Sequence, residues 1–247
     1  MYEKWQTYCI AIHSTLSKEG VGTFENKHIY MNQLSKILSL CFLLTLTVSI
    51  AFSQKKSASD FIDNGIAKFE AKEYMEAIVS FNEAVALDPT AYQAYFMRGN
   101  IKQKFADVHG AMKDYNKAIE VKSDFPEAYF ERGNVKYLLQ DYYGAINDYT
   151  KAIEYNENNL DAYYKRGQAK QQLEAYQDAI NDCTKIIEKD GNNVDAYYLR
   201  GVLRIEYGQL SEGCLDLSKA GELGDLKAYE MIRERCNDAR CYPTEFE

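Results

Sequence analysis

One glycine returns every 34 residues through most of this 247-residue chain, and this repeat constrains the fold more than any other feature. The repeated positions are Gly65, Gly99, Gly133, Gly167 and Gly201. An aromatic residue stands four positions before each of them, and an alanine or a glycine stands twelve positions after. A period in this range is typical of chains that stack one small unit many times, so the repeats predict a single elongated domain.

Each unit has the pattern of two helices joined by a short polar turn. Apolar residues recur at spacings of three and four, as in Ala111, Met112, Tyr115 and Ala118, which predicts one-sided helices. A glycine inside a helix costs about 1 kcal/mol relative to alanine, so its return indicates that the paired helices approach closely there. Plausible N-caps precede the first helix of units two to five. They are Asp88, Ser123 or Asp124, Asn159 and Asn193.

The pattern of an aromatic residue, three residues and glycine, followed by alanine, aromatic and alanine on the second helix, resembles the tetratricopeptide repeat. Pro89 closes the first unit as in that family, whereas tyrosine or phenylalanine stands where many members have tryptophan. The resemblance implies an all-α, right-handed α-solenoid of five helix-turn-helix (TPR) repeats. The predicted repeats are residues 58–91, 92–125, 126–159, 160–193 and 194–225, followed by a capping helix at 226–237 and a flexible tail at 238–247.

Arginine precedes the repeated glycine in units two to five, and aspartate follows it by fifteen positions. In unit one both are missing together, replaced by Asn64 and Ser80. Antiparallel packing of the two helices brings these positions face to face, so we predict four structural ion pairs. The pairs are Arg98 with Asp114, Arg132 with Asp148, Arg166 with Asp182, and Arg200 with Asp216.

Residues 31–53 have the pattern of a secretory signal peptide. Lys36 precedes an apolar run from Ile37 to Phe52, and Ala51 and Ser53 occupy the small-residue positions of a cleavage site. The run is shorter than the roughly 20 apolar residues of a spanning helix. We predict cleavage after Ser53, translation starting at Met31, and an over-extended, unstructured N-terminus at 1–30.

These residues favour an exported protein, either periplasmic, envelope-associated or secreted, and of bacterial type. The alternative is an uncleaved signal anchor, which Lys55 and Lys56 after the run would suit and which would be the only membrane contact. A lipoprotein at Cys41 is disfavoured by the bulky Leu40 before it.

Export permits disulfides among the four cysteines that follow the predicted leader. Folding residues 226–236 back on 212–222 brings Cys236 within a turn of Cys214, so a Cys214–Cys236 disulfide is favoured. Buried thiols are the alternative, above all for Cys183, and Cys241 is another possible partner.

Composition and motifs argue against several functions. The formal net charge is -8, and beyond residue 53 the chain has 25 basic and 34 acidic side chains, which disfavours a nucleic-acid partner. No glycine-rich phosphate loop, HExxH, CxxC or GxSxG is present, and His109 is the only histidine after the leader. We therefore expect no catalytic residues, no metal and no small-molecule cofactor.

The resemblance places the residues three before and one after each glycine on the concave face. These are aromatic rings beside amides, a combination that suits an extended peptide, with charged residues nearby. The predicted partner-binding residues are Phe96, Asn100, Phe130, Asn134, Tyr164, Gln168, Tyr198, Glu127, Glu131, Asp161, Lys165 and Asp195.

The sequence thus predicts a non-enzymatic scaffold or adaptor that binds a peptide or protein segment in a concave groove. The alternative is a structural subunit of an envelope or secretion assembly that uses its convex or end surfaces. A glycan-binding module, supported only by the aromatic rings, is the third hypothesis.

Overall fold

The computed structural model describes residues 35–36, 39 and 56–236 of the chain. Contacts divide the chain into two units, residues 1–56 and 57–247, and the account below concerns the second. The predicted N-terminus at 1–30 and tail at 238–247 lie outside the described residues, as does the predicted signal peptide apart from Ser35, Lys36 and Ser39. No helix among the described residues is long and apolar enough to cross a membrane.

Between residues 56 and 236 the structure is helical throughout, with eleven helices and no strand. The helices are α1 (Ala58–Glu70), α2 (Tyr74–Leu87), α3 (Tyr92–Lys104), α4 (Val108–Val121), α5 (Pro126–Leu138), α6 (Tyr142–Tyr155), α7 (Leu160–Gln172), α8 (Tyr176–Lys189), α9 (Val194–Glu206), α10 (Leu210–Glu222) and α11 (Leu226–Arg235). We call the odd-numbered helices α1 to α9 the first helices and α2 to α10 the second helices.

The helices stack in the order of the chain. Each first helix packs against the second helix that follows it, and each second helix packs against the next first helix. First helices of successive repeats also contact one another, α1 with α3, α3 with α5, and α5 with α7. The first helices therefore form one layer and share one face of the solenoid.

The repeated glycines are where the paired helices come closest. A Cβ atom at Gly133 would lie 2.7 Å from Cε1 of Tyr149, and Gly65 and Gly99 meet the rings of Phe81 and Tyr115 in the same way. At Gly167 the nearest atom would be the Ala179 carbonyl oxygen at 3.7 Å, because the smaller Cys183 replaces the ring. The same glycine is therefore required by an aromatic ring in three repeats but not in the fourth.

The predicted arginine–aspartate pairs are present, and each is part of a larger cluster. Arg132 donates through Nε and Nη2 to the two carboxylate oxygens of Asp148, at 2.8 and 2.6 Å. Lys136, one turn further along α5, lies 2.8 Å from the same carboxylate, which is fully buried. Each buried aspartate in repeats two to five thus pairs with two cations. The second cations are Lys102, Lys136, Lys170 and Arg204.

The third donor of each arginine reaches the preceding repeat. Arg132 Nη1 donates to Asn116 Oδ1 on α4 at 2.8 Å, and Arg166 Nη1 donates to Thr150 Oγ1 on α6 at 3.0 Å. Arg98 and Arg200 make the same bond to Asn82 and Thr184. One side chain therefore connects the two helices of its own repeat and binds that repeat to the one before.

Repeat one replaces this cluster by a neutral hydrogen bond. Asn64 Nδ2 donates to Ser80 Oγ at 2.7 Å, at the positions that arginine and aspartate hold elsewhere. Lys68, which has no aspartate here, pairs with Glu73 instead. Within the described unit no second helix precedes α1, so an arginine at position 64 would have no neighbour for its third bond.

Two of the four N-cap predictions are wrong. Asn159 and Asn193 do cap α7 and α9, accepting from the backbone N–H groups of Ala162 and Ala196. Helices α3 and α5 instead begin after Ala91 and Phe125, without a side-chain cap. Asp88 accepts from the backbone N–H of Thr90, so its carboxylate is used in the turn before α3.

The glycine row gives a prediction with a control inside the chain. Gly133→Ala should lower the free energy of unfolding by about 1–3 kcal/mol, because the methyl group forces the buried Tyr149 ring to move. Gly167→Ala should leave stability unchanged or raise it by up to about 1 kcal/mol, since alanine is the better helix former. Urea unfolding measures both, and equal effects would contradict the assigned role of the ring.

The buried clusters give a second prediction. Asp148→Ala should destabilise by about 3–5 kcal/mol, because it leaves the half-buried Arg132 and Lys136 charges without their carboxylate. The control is Glu154→Ala, which breaks the exposed pair with Lys151 and should cost at most about 1 kcal/mol. Urea unfolding of the two variants compares them directly, and a cost for Asp148→Ala no larger than the control's would show that the cluster is not a stabilising element.

Candidate partner-binding face

The predicted partner-binding residues all lie on first helices, from α3 to α9. We call the surface they share the first-helix face. Its rings are half-buried, its amides are half-buried beside them, and the acids in the first turns of α5, α7 and α9 are exposed. The helix layer thus brings the predicted residues onto one surface, and the contacts of each group decide what it can bind.

The rings of the first-helix face are partly used for packing between helices. Phe96 packs edge-on against Phe125, with ring centroids 4.9 Å apart, and lies 6.0 Å from the Tyr115 ring. Phe130 lies 5.9 Å from Tyr149. Tyr164 packs against the core of the fourth and fifth repeats. Each ring therefore has one side on the core and presents only its remaining side to a partner.

The amides are more occupied than the sequence analysis expected. The hydroxyl of the buried Tyr149 donates to Asn134 Oδ1 at 2.9 Å. The Tyr115 hydroxyl lies 2.6 Å from Gln103 Oε1 and 2.8 Å from Asn100 Oδ1. Asn134 also donates through Nδ2 to Glu131, at 3.2 Å. A buried hydroxyl requires a partner, so the Asn134 oxygen satisfies Tyr149 and is already engaged within the protein. Tyr115 has the Gln103 oxygen as well as that of Asn100 within hydrogen-bond distance.

The amide of the fourth repeat has different neighbours. Gln168 accepts from Lys165 Nζ at 3.4 Å and also hydrogen-bonds Tyr164. Tyr115 and Tyr149 supply a buried hydroxyl in repeats two and three, and the equivalent residue of repeat four is Cys183. Lys165, Tyr164 and Gln168 therefore form one polar group on the surface of α7.

Negative charges act on the Tyr164 hydroxyl of the first-helix face and on the Tyr115 and Tyr149 hydroxyls of the second helices. Burial raises the pKa of Tyr115 and of Tyr149, and the negative charge of Glu131 raises both pKa values further. Burial likewise raises the pKa of Tyr164, with the charge of Asp195 on the neighbouring first helix as the next cause. These three tyrosines therefore remain protonated and act as hydrogen-bond donors at neutral pH.

The exposed acids are the groups that the fold leaves most available. Glu127, Asp161 and Asp195 each stand in the first turn of a first helix, at the same register in three successive repeats. Negative charge at that position is favoured by the helix dipole by about 0.3–1 kcal/mol. They stabilise their helices and at the same time give this edge of the face a negative charge.

At the far end of the face, α11 covers part of the last repeat. Burial raises the pKa of Tyr198, and the next causes are the charges of Asp225, Glu230 and Glu234, which precede or belong to α11. The predicted disulfide between Cys214 and Cys236 is present and joins α10 to the end of α11. Cys183 is a buried free thiol, and burial raises its pKa to about 12.

The second cation and the inter-repeat bond of each arginine cluster were not among the features predicted from the sequence. The signal was available, since a cation follows the arginine by four positions in repeats two to five, and asparagine or threonine stands seventeen positions after the glycine in repeats one to four. The arginine clusters hold the first helices against the second helices.

A separate open depression of about 570 Å³ lies beside α4 and is lined by Tyr95, His109 and Lys113 among others. None of the predicted partner-binding residues lines it. No group of histidine, cysteine or acidic side chains in the described part of the chain is arranged to hold a metal ion.

Comparisons with known proteins agree with this geometry. Residues 107–140 and 133–174 match the family model described as TPR repeat. The crystal structure of YrrB, a TPR protein with an unusual peptide-binding site, is 21% identical with a TM-score of 0.68, covering 76% of this chain and 97% of its own. No curated protein matches the sequence.

Two structures of MamA are also similar. A crystal structure of MamA is 23% identical with a TM-score of 0.62, covering 67% of this chain and 96% of its own. MamA from Desulfovibrio magneticus RS-1, residues 41 to the end, is 16% identical with a TM-score of 0.63, covering 74% and 97%. At these identities the likeness concerns the fold.

The described repeats define the class of the molecule as an α-solenoid of helix hairpins. Residues 107–174 match the tetratricopeptide repeat family model, and the hairpins on either side extend the same solenoid, because they share its 34-residue register and its helix pairing.

The tyrosine contacts predict how stability depends on pH. Because the pKa values of Tyr115 and Tyr149 are raised in the folded state, their contribution is complete below the unfolded value near 10 and is lost as pH rises above it. Tyr149→Phe should lower the free energy of unfolding by about 1 kcal/mol at pH 7, through loss of the bond to Asn134.

In the Tyr149→Phe variant the free energy of unfolding should fall less steeply above pH 10 than in the wild type, because one titrating group is gone. Phe81 occupies this register in repeat one, so phenylalanine fits the position. Urea unfolding at pH 7 and at two pH values above 10 makes the comparison. A pH dependence identical to that of the wild type would contradict the assignment.

Proposed function

We propose that this protein is a non-enzymatic scaffold that binds a peptide or protein segment on its first-helix face. The observation that carries the proposal is the row of rings and exposed acids at one register of successive first helices, of which α3 contacts α5 and α5 contacts α7. An extended segment lying across α3 to α9 meets a half-exposed ring and a carboxylate in each repeat from the third to the fifth. The peptide-binding site of the TPR protein YrrB supports a partner of this kind.

The face is held in place before any partner arrives. The arginine clusters fix each first helix against its own second helix and against the preceding repeat, and the buried tyrosine hydroxyls fix the amides. Little ordering of the face is then required on binding, which favours affinity because ordering groups at an interface costs free energy. The repeat arrangement also presents the same chemistry at regular intervals, as an extended chain requires.

We also propose that the protein is exported, to a periplasm, an envelope surface or the exterior of the cell. The Cys214–Cys236 disulfide supports this, since disulfides persist mainly in oxidising compartments. The pattern of residues 31–53 supports it independently. We expect no nucleic acid and no small-molecule cofactor among its partners.

A second candidate is a structural subunit that assembles through its second helices or its ends. Exposed apolar side chains favour it, since Met75 and Val79 on α2 are 66% and 60% exposed and Leu215 on α10 is 62% exposed. These residues lie on the first and last second helices of the solenoid, away from the first-helix face. Met75 and Val79 stand one turn apart on α2, and contiguous exposed apolar patches mark interaction sites.

A charge-reversal experiment tests the proposal against this alternative. The test variant carries Glu127→Lys, Asp161→Lys and Asp195→Lys. The matched control carries Glu120→Lys, Glu154→Lys and Glu188→Lys, one exposed acid per repeat at one register of the second helices, each in a surface pair. Both variants change the net charge by the same amount.

Peptides are first selected on the wild-type protein from a displayed random library, and their affinities are then measured by fluorescence anisotropy. The test variant should change the dissociation constant by tenfold or more, about 1.4 kcal/mol, and the control by less than threefold. Circular dichroism checks that both variants are folded. A larger effect from the control would support the second-helix surface, and equal effects would reject site-specific binding.

A further inference from the structure

The final helix, α11, has no partner helix of its own in the described unit. It has ten residues and packs against α10. Ala228 joins Leu217 and Ala220 in a small buried cluster, with Met231 and Ile232 partly buried against it. A helix of this length is marginal in isolation. Its helical state therefore depends on its attachment to the last repeat.

That attachment uses a cysteine where other repeats use an apolar residue. Cys214 stands thirteen positions after Gly201, and the corresponding residues of repeats one to four are Ile78, Met112, Ile146 and Ile180. Each of these packs in the core of the unit. In the last repeat the position is instead joined covalently to Cys236, at the C-cap of α11.

The attachment of α11 also determines the surroundings of Tyr198. The carboxylates of Asp225, Glu230 and Glu234 act on the Tyr198 hydroxyl, and the ring packs against the cluster beneath α11. Val202 and Ile205 of α9 belong to the same cluster. Undocking α11 would uncover an apolar end of the solenoid and the last ring of the first-helix face.

We propose that the Cys214–Cys236 disulfide is a redox-controlled latch for α11. When it is oxidised, α11 is docked. A dithiol reductant breaks the sulfur–sulfur bond by donating two electrons and two protons, becomes a disulfide itself, and leaves two thiols. The helix then undocks while the five repeats stay folded. This inference does not depend on the proposed partner-binding function.

The energetic asymmetry between the cap and the repeats supports the latch. Each repeat is held by a buried ion cluster or, in repeat one, by the Asn64–Ser80 bond, whereas within the described residues α11 contributes a single fully buried residue, Ala228, apart from its C-cap cysteine. Elements with few buried contacts open at lower free energy than the rest of a fold. Cys214 and Cys236 are 5% and 3% exposed, so a reductant reaches them when the end of α11 opens.

The test uses the full chain with Cys241→Ser, which removes the other cysteine near the C-terminus. The protein is treated with dithiothreitol, desalted, and alkylated with iodoacetamide without denaturant, and mass spectrometry locates the labels. Labelling of Cys214 and Cys236 but not of Cys183 is expected. Cys183 is fully buried in α8 and has a raised pKa, so it reports opening of the repeats themselves.

Hydrogen–deuterium exchange supplies the second measurement. Reduction should speed exchange of the amides in 226–235 at least tenfold and leave those of α7 and α8 unchanged. A variant with Cys214→Ala and Cys236→Ala should exchange rapidly in that segment with or without dithiothreitol. Unchanged protection of α11 in the reduced protein would overturn the latch, and so would labelling of Cys183 at the rate of Cys214.

Discussion

The fold depends on a carboxylate that is buried between two cations in each of repeats two to five. In repeat three, Asp148 is fully buried, receives both hydrogen bonds of one side of the Arg132 guanidinium, and also contacts Lys136. Removing such a charge from water is costly, and only well-formed partners offset the cost. Because the partners stand on the other helix of the hairpin, the cluster allows one register between the two helices.

The guanidinium extends this constraint from one repeat to the next. Its remaining Nη1 donates to asparagine or threonine of the preceding second helix, and the group stacks over the tyrosine four positions before the glycine, 5.4 Å from the ring in repeat three. A single planar side chain thus pairs with the aspartate of its own hairpin, hydrogen-bonds the preceding repeat and stacks on an aromatic ring. Lysine could not replace it, since an ammonium group lacks the fixed geometry of these donors.

Much of this was predictable from the sequence because the period of 34 converts chain position into spatial position. The spacing of Arg132 and Asp148 predicted their pairing, and the folding of residues 226–236 back on 212–222 predicted that Cys214 meets Cys236. The period does not predict which of several neighbouring groups will occupy a given hydrogen-bond acceptor. Asn134 looked available at the surface of α5, yet the buried Tyr149 hydroxyl requires its oxygen. Pattern analysis assigns a residue to a face but does not count the donors beneath it.

The two ends of a repeat stack pose opposite problems, and this chain resolves each of them locally. At the start, an arginine at position 64 would have no preceding second helix for its third bond within the described unit, and a neutral Asn64–Ser80 pair removes both the charge and the need. At the other end, the last second helix would expose a surface that packs against a first helix in the other repeats. A short helix covers it, and a covalent bond supplies what so small a contact area cannot. The interior repeats need neither a neutral pair nor a disulfide-bonded helix, because each of them packs against a neighbouring repeat on both sides.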